Sequence, residues 1–87
     1  MDRDHLAKAP EYVKIIKLLD RIDNLEDMSG ADLKFSELYR AETRLLAEAI
    51  GSVDPELSYD MLEAADKMVA TIEEKERVAA INPTNGD

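Results

Sequence analysis

The chain has no cysteine, no tryptophan and one histidine in 87 residues. Without cysteine there are no disulfide staples, thiolate metal ligands or thiol nucleophiles. That agrees with a reducing compartment, and a cytoplasmic location is the expectation. Four aromatic residues (Tyr12, Phe35, Tyr39 and Tyr59) leave the core to Leu, Ile, Val, Met and Ala. Those side chains suit helix packing better than a sheet. No apolar run approaches the roughly 20 residues that span a bilayer. The segment MDRDHLAKAP carries no apolar h-region, so neither a secretory signal nor a membrane span is expected.

Scarcity also bounds the chemistry. His5 is the sole histidine and lies in a charged segment, and it reads as solvated. No Glu-x-x-His pair and no Asp-x-Asp-x-Asp-Gly loop occur, which excludes a di-iron bundle and an EF-hand. No second histidine stands ready to activate a serine or threonine. Carboxylates abound, but general acid–base work needs one that is desolvated. Here they fall on hydrophilic faces near bases: Glu63 with Lys67 and Glu73 with Arg77 are i, i+4 supports, each contributing about 0.3 kcal/mol. The expectation is a non-catalytic protein with no metal and no cofactor.

What the chain has in excess is acid. Twenty Asp and Glu face eleven Lys and Arg, a formal charge of −9. Such a surface repels nucleic-acid phosphates and anionic lipid. Direct nucleic-acid binding is therefore not expected, whereas a protein partner with a basic surface is.

The hydrophobic pattern is helical throughout. In APEYVKIIKLLDRIDNLEDM, positions 12, 15, 16, 19, 22 and 25 recur at the three-four spacing of one helix face, widened by Val13 and Leu18. Pro10 suits the first turn of that helix, and Ser29-Gly30 ends it. A second helix follows, with Leu38, Leu45 and Ala49 as its stripe and Ala41 and Leu46 beside it. Asp32 and Ser36 are both candidate N-caps, and Gly51 suits a left-handed C-terminal position. Asp54-Pro55 opens a third helix, which Asn82-Pro83 stops. Positions 57, 61, 68 and 72 hold one of its faces, flanked by Leu62, Ala65 and Val69. The predicted fold is one all-α domain, a three-helix bundle over about 10–28, 32–50 and 55–81, with a disordered polar tail at 82–87. A helix over 55–81 would be about 40 Å long, against nearer 30 Å for the other two. Its end should overhang, leaving Val78 and Ile81 free for self-association.

Two acidic rows stand out. Asp20, Asp23 and Asp27, with Glu26, line the first helix, and Glu56, Asp60 and Glu63 line the third. Such rows can meet Lys and Arg on a partner, or imitate the phosphate spacing of a nucleic acid.

Two family resemblances bear on function. Gly30-Ala31-Asp32-Leu33 resembles the Gly-Ala-Asp-Ser-Leu loop of acyl carrier proteins. The residue after the aspartate is leucine rather than the serine that takes the phosphopantetheine arm, and the next hydroxyl downstream is Ser36. The carrier function therefore lacks its attachment residue. Tyr12, followed ten residues later by Ile22-Asp23-x-Leu25-Glu26, resembles the first half of the Hha family of small nucleoid modulators. Ala41-Glu42-Thr43-Arg44-Leu45 is similar to a later stretch, although the spacer between the halves differs. That resemblance implies a helical protein in which Asp23, Glu26 and Glu42 engage a basic DNA-organising partner.

Taken together, the sequence reads as a small acidic regulator or inhibitor of the kind bacteria and their phages encode. It would occupy a basic, nucleic-acid-binding surface on its target. The alternative is a self-associating structural subunit, a homodimer formed through the third helix at Val78 and Ile81.

Overall fold

The computed structural model describes residues 3–28 and 30–81. Among these the structure is all-α: α1 (Arg3–Ala7), α2 (Glu11–Glu26), α3 (Leu33–Ile50), a single 3-10 turn (Gly51–Val53) and α4 (Pro55–Ile81). The short α1 and the 3-10 turn are too brief to leave a periodic signal, and sequence reading misses both. The tail expected at 82–87 and the stop at Asn82-Pro83 lie outside the described residues.

The helix starts follow from local chemistry. Pro10 sits at the N-cap of α2, one residue before the first turn where sequence reading places it. It has no side-chain cap to offer, and its carbonyl accepts from Val13 and Lys14 N–H at 3.1 and 3.2 Å. Asp32, not Ser36, caps α3, with Oδ1 accepting from Phe35 N–H at 2.7 Å. Asp54 does the same for α4, accepting from Leu57 N–H at 3.1 Å. Each cap satisfies an amide that the helix leaves without a partner.

Gly51 is needed for a different reason from the one its position implies. Its φ of −62° and ψ of −24° are right-handed, not left-handed. A Cβ built there would lie 2.4 Å from Ser58 Oγ and 3.2 Å from Ser58 Cβ. The glycine lets the end of α3 approach the first turn of α4.

α4 is the element on which α2 and α3 pack. α3 and α2 both lie along it, α1 lies on α3, and the 3-10 turn touches α2, α3 and α4. α3 runs antiparallel to α4: Arg40 and Arg44 near its middle reach Asp66, while Leu33 N–H at its start donates to Glu76 at 3.0 Å. α2 runs in the same direction as α4, since it touches the 3-10 turn while Leu25 near its end lies beside Met68. The described chain is elongated, 53 × 21 × 15 Å, with a radius of gyration of 15.4 Å against about 12 Å for a compact domain of this length.

The core consists of Leu18 and Leu25 from α2, Leu46 and Ile50 from α3, and Met61, Ala65, Met68, Val69 and Ile72 from α4. It corrects the expected rotation of two helices. On α2 the buried line runs through Leu18 and Leu25, with Ile15 and Ile22 half-buried. Tyr12, Ile16 and Leu19, expected in the core, are 67%, 58% and 51% exposed. On α3, Leu38 and Leu45 face outward, and the buried line is Ser36, Thr43, Leu46 and Ile50. Ser36 and Thr43 enter the core because each disposes of its hydroxyl within its own helix. Ser36 Oγ donates to Leu33 O and Thr43 Oγ1 to Tyr39 O, at 2.7 and 2.8 Å.

Arg21 of α2 ties α2 to α3. Its guanidinium lies 4.3 Å from the Tyr39 ring centre, and Nη1 reaches Thr43 Oγ1 at 3.5 Å. Tyr39 in turn stacks on Phe35, centroids 6.1 Å apart. The expected Glu73–Arg77 and Glu63–Lys67 supports do not form. Arg77 pairs with Glu74 instead, one residue nearer on the same helix.

This rotation has a thermodynamic consequence. Leu18→Ala should lower the unfolding free energy by about 3 kcal/mol, since it empties a fully enclosed site. Ile16→Ala should change it by less than about 0.5 kcal/mol, as exposed substitutions do. Urea titrations of the two variants check this, and equal losses would contradict the described orientation of α2.

Candidate acidic interface

The two acidic rows lie on adjacent helices, and their relative placement follows from the neighbours of α4. Leu25 and Glu26 of α2 share a shallow groove with Ala64, Lys67, Met68 and Thr71. Lys67 therefore marks the edge of α4 that faces α2. Glu56, Asp60, Glu63 and Lys67 follow one another at i, i+4, i+7 and i+11, so the same edge carries the three acids. The opposite edge belongs to α3, where Asp66 meets Arg40 and Arg44.

On α2, Ile16, Leu19, Asp20 and Asp23 line one shallow depression. Tyr12, Ile16, Leu19 and Asp23 form a continuous ridge at i, i+4, i+7 and i+11, with Asp20 and Asp27 one step further round. Because α2 and α4 run in the same direction and Leu25 lies beside Met68, Asp20 is level with Glu63, and the α2 row continues along the molecule where the α4 row ends. The exposed apolar ridge Tyr12–Ile16–Leu19 is level with the α4 row, and Asp20 and Asp23 border its far end. The structure thus brings Asp20, Asp23, Glu26, Glu56, Asp60 and Glu63 to one side of the molecule, with Asp27 at its margin. All seven carboxylates are exposed. Asp66 and Glu74 are ion-paired, and neither belongs to these rows.

Glu42 does not join them. Arg40 and Arg44 mark the edge of α3 that meets α4, and Glu42 lies between them in sequence, on the opposite side of the helix. It shares its exposed ridge with Phe35, Leu38 and Leu45. Val78 and Ile81 are also separate. They are 45% and 74% exposed near the end of α4 and lie off the line that buries Met61, Ala65, Met68 and Ile72.

Sequence reading missed the ridge itself, because it assigned Tyr12, Ile16 and Leu19 to the core. The available signal was their excess. Eight apolar residues between 12 and 25 are more than one buried helix face needs.

Other chemistry is sparse. Among the described residues no group of three or more His, Asp or Glu side chains converges as metal ligands would. No described helix is long and apolar enough to cross a membrane. The loop that resembles a carrier-protein motif is occupied by the Asp32 cap, and the Ser36 hydroxyl beyond it is fully enclosed. A shallow depression at the start of α3 gathers Leu33, Phe35 and Leu38, ringed by Asp32, Lys34, Glu37 and Glu76. No protein-family model, curated protein or solved structure matches the chain. The likeness to the Hha family accordingly rests on the quoted residues alone.

Like charges at i, i+3 and i, i+4 repel. Asp60 lies four residues after Glu56 and three before Glu63. Asp60→Lys replaces two repulsions by two attractions and should raise the unfolding free energy by about 0.5 kcal/mol at low salt. The gain should shrink in about 1 M salt, where the screening length falls to about 3 Å. Chemical denaturation at the two ionic strengths checks this, and destabilisation at low salt would contradict an exposed acidic row.

Proposed function

We propose that this protein is a non-enzymatic regulator or inhibitor that works by binding a protein with a basic surface. The reading takes it as a cytoplasmic three-helix bundle of bacterial or phage type, with its target surface one that itself engages nucleic acid. One observation carries it: seven exposed carboxylates on α2 and α4 share a side of the molecule with an apolar ridge that no part of the described chain covers. The ridge gives a partner something to desolvate, and the acids select the sign of its charge. Direct binding to nucleic acid or anionic membrane is disfavoured by the same charge of −9.

Self-assembly is the second reading, supported by the exposed Val78 and Ile81 on α4. Two apolar side chains bury little beside a standard interface of about 800 Å² per partner. Self-contact also brings acid against acid. Both considerations favour the heterologous partner.

The test compares tagged wild-type bait with the Glu56→Lys/Asp60→Lys/Glu63→Lys variant in pull-downs from the source organism. The expected result is a stoichiometric partner that rising salt releases and that the variant fails to retain. A partner held equally by both baits, or bait recovered alone, would contradict the proposal.

A further inference from the structure

The ridge and the rows together specify the shape of a partner as well as its charge. Tyr12, Ile16 and Leu19 are more than half exposed, although each is a large apolar side chain. They follow the i, i+4, i+7 course along which one helix packs its ridge into the groove of another. Beside them α2 packs along α4, and the seam between the two helices opens into a shallow depression at Leu25, Glu26, Ala64, Lys67, Met68 and Thr71, on the line that Tyr12 and Leu19 reach at seven-residue steps from Glu26. An added helix laid there would extend the packing that already joins α3 to α4. An extended strand would find no open sheet edge, because the described residues form no strand.

Charge then chooses the occupant. A second copy docking through this same face would set acidic rows against acidic rows, as a self-complementary contact requires. The α3 ridge of another copy, Phe35–Leu38–Leu45, carries Glu42 in its middle and would add a further carboxylate. Nucleic acid is repelled outright. The complementary ligand is a helix with an apolar stripe and cations on both sides of it.

We infer that the α2/α4 face is a docking groove for an amphipathic α-helix, whose apolar stripe covers Tyr12, Ile16 and Leu19 and whose Lys and Arg flanks meet the acidic rows of α2 and α4. The inference rests on the reading of a basic protein partner and gives that partner its secondary structure. From Tyr12 to Glu26 the groove runs about 21 Å, which matches some four helical turns of the ligand. The basic flanks fix its position across the groove, and the apolar stripe sets which way it is turned.

The probe is a fluorescein-labelled peptide of about 18 residues built from Leu, Ala and Lys, with Leu at i, i+3, i+4 and i+7. Its control has the same composition with the stripe scrambled. Fluorescence anisotropy with the full chain should show the striped peptide binding on the order of tenfold more tightly than the scrambled one. Ile16→Ser/Leu19→Ser should abolish that preference while retaining the weak binding of both peptides. Phe35→Ser/Leu38→Ser on α3 should leave the preference intact, and circular dichroism confirms that each variant is folded. Equal binding of the two peptides, or a preference lost in the α3 variant but not in the α2 variant, overturns the groove and leaves the electrostatic reading standing. No binding of either peptide at about 50 mM salt overturns both.

Discussion

Everything in this structure depends on one long apolar face of α4. Met61, Ala65, Met68, Val69 and Ile72 present a continuous buried line, and α2 and α3 are each held mainly by covering part of it. Leu18 and Leu25 cover one side, Leu46 and Ile50 the other. The polar ties are minor by comparison. The Arg40 and Arg44 pairs with Asp66 lie in solvent, where such contacts contribute about 0.2–1 kcal/mol. Hydrophobic burial dominates, and with a chain this short the margin is small.

That constraint explains the surface. Two helices laid on one face of a third leave their outer sides uncovered, and both carry apolar residues there. α2 shows Tyr12, Ile16 and Leu19, while α3 shows Phe35, Leu38 and Leu45. The α3 residues have some local company in the stack of Arg21, Tyr39 and Phe35. The α2 residues have acids instead. Apolar area that would invite self-association is thereby surrounded by charge that opposes it, which keeps the face open to a partner of the opposite sign.

Helix class, the α4 span and the Asp54 start are legible in the sequence, because caps, prolines and three-four spacing are local properties. Helix rotation is not. On α3 the choice turned on Ser36 and Thr43, which count as polar in any hydrophobic pattern. Their hydroxyls bond to carbonyls three and four residues back, so they bury without an orphaned group. On α2 the apolar residues cover more than one face, and spacing alone does not say which subset meets the core. Gly51 was legible as important but for the wrong reason, since close approach to Ser58 is a tertiary fact. The acidic rows could be listed from the sequence. That those of α2 and α4 share a side, and that Glu42 does not, depends on the direction in which α2 runs.

The most direct test of this account is the solvent exposure of the α2 methyl groups. Methyl NMR in the presence of a neutral gadolinium chelate measures it for each residue. The described orientation requires strong broadening at Ile16 and Leu19 and protection at Leu18, Leu25 and Ile72. Protection of Ile16 to the same degree as Leu18 would contradict it, and the exposed apolar ridge beside the acidic rows would not exist.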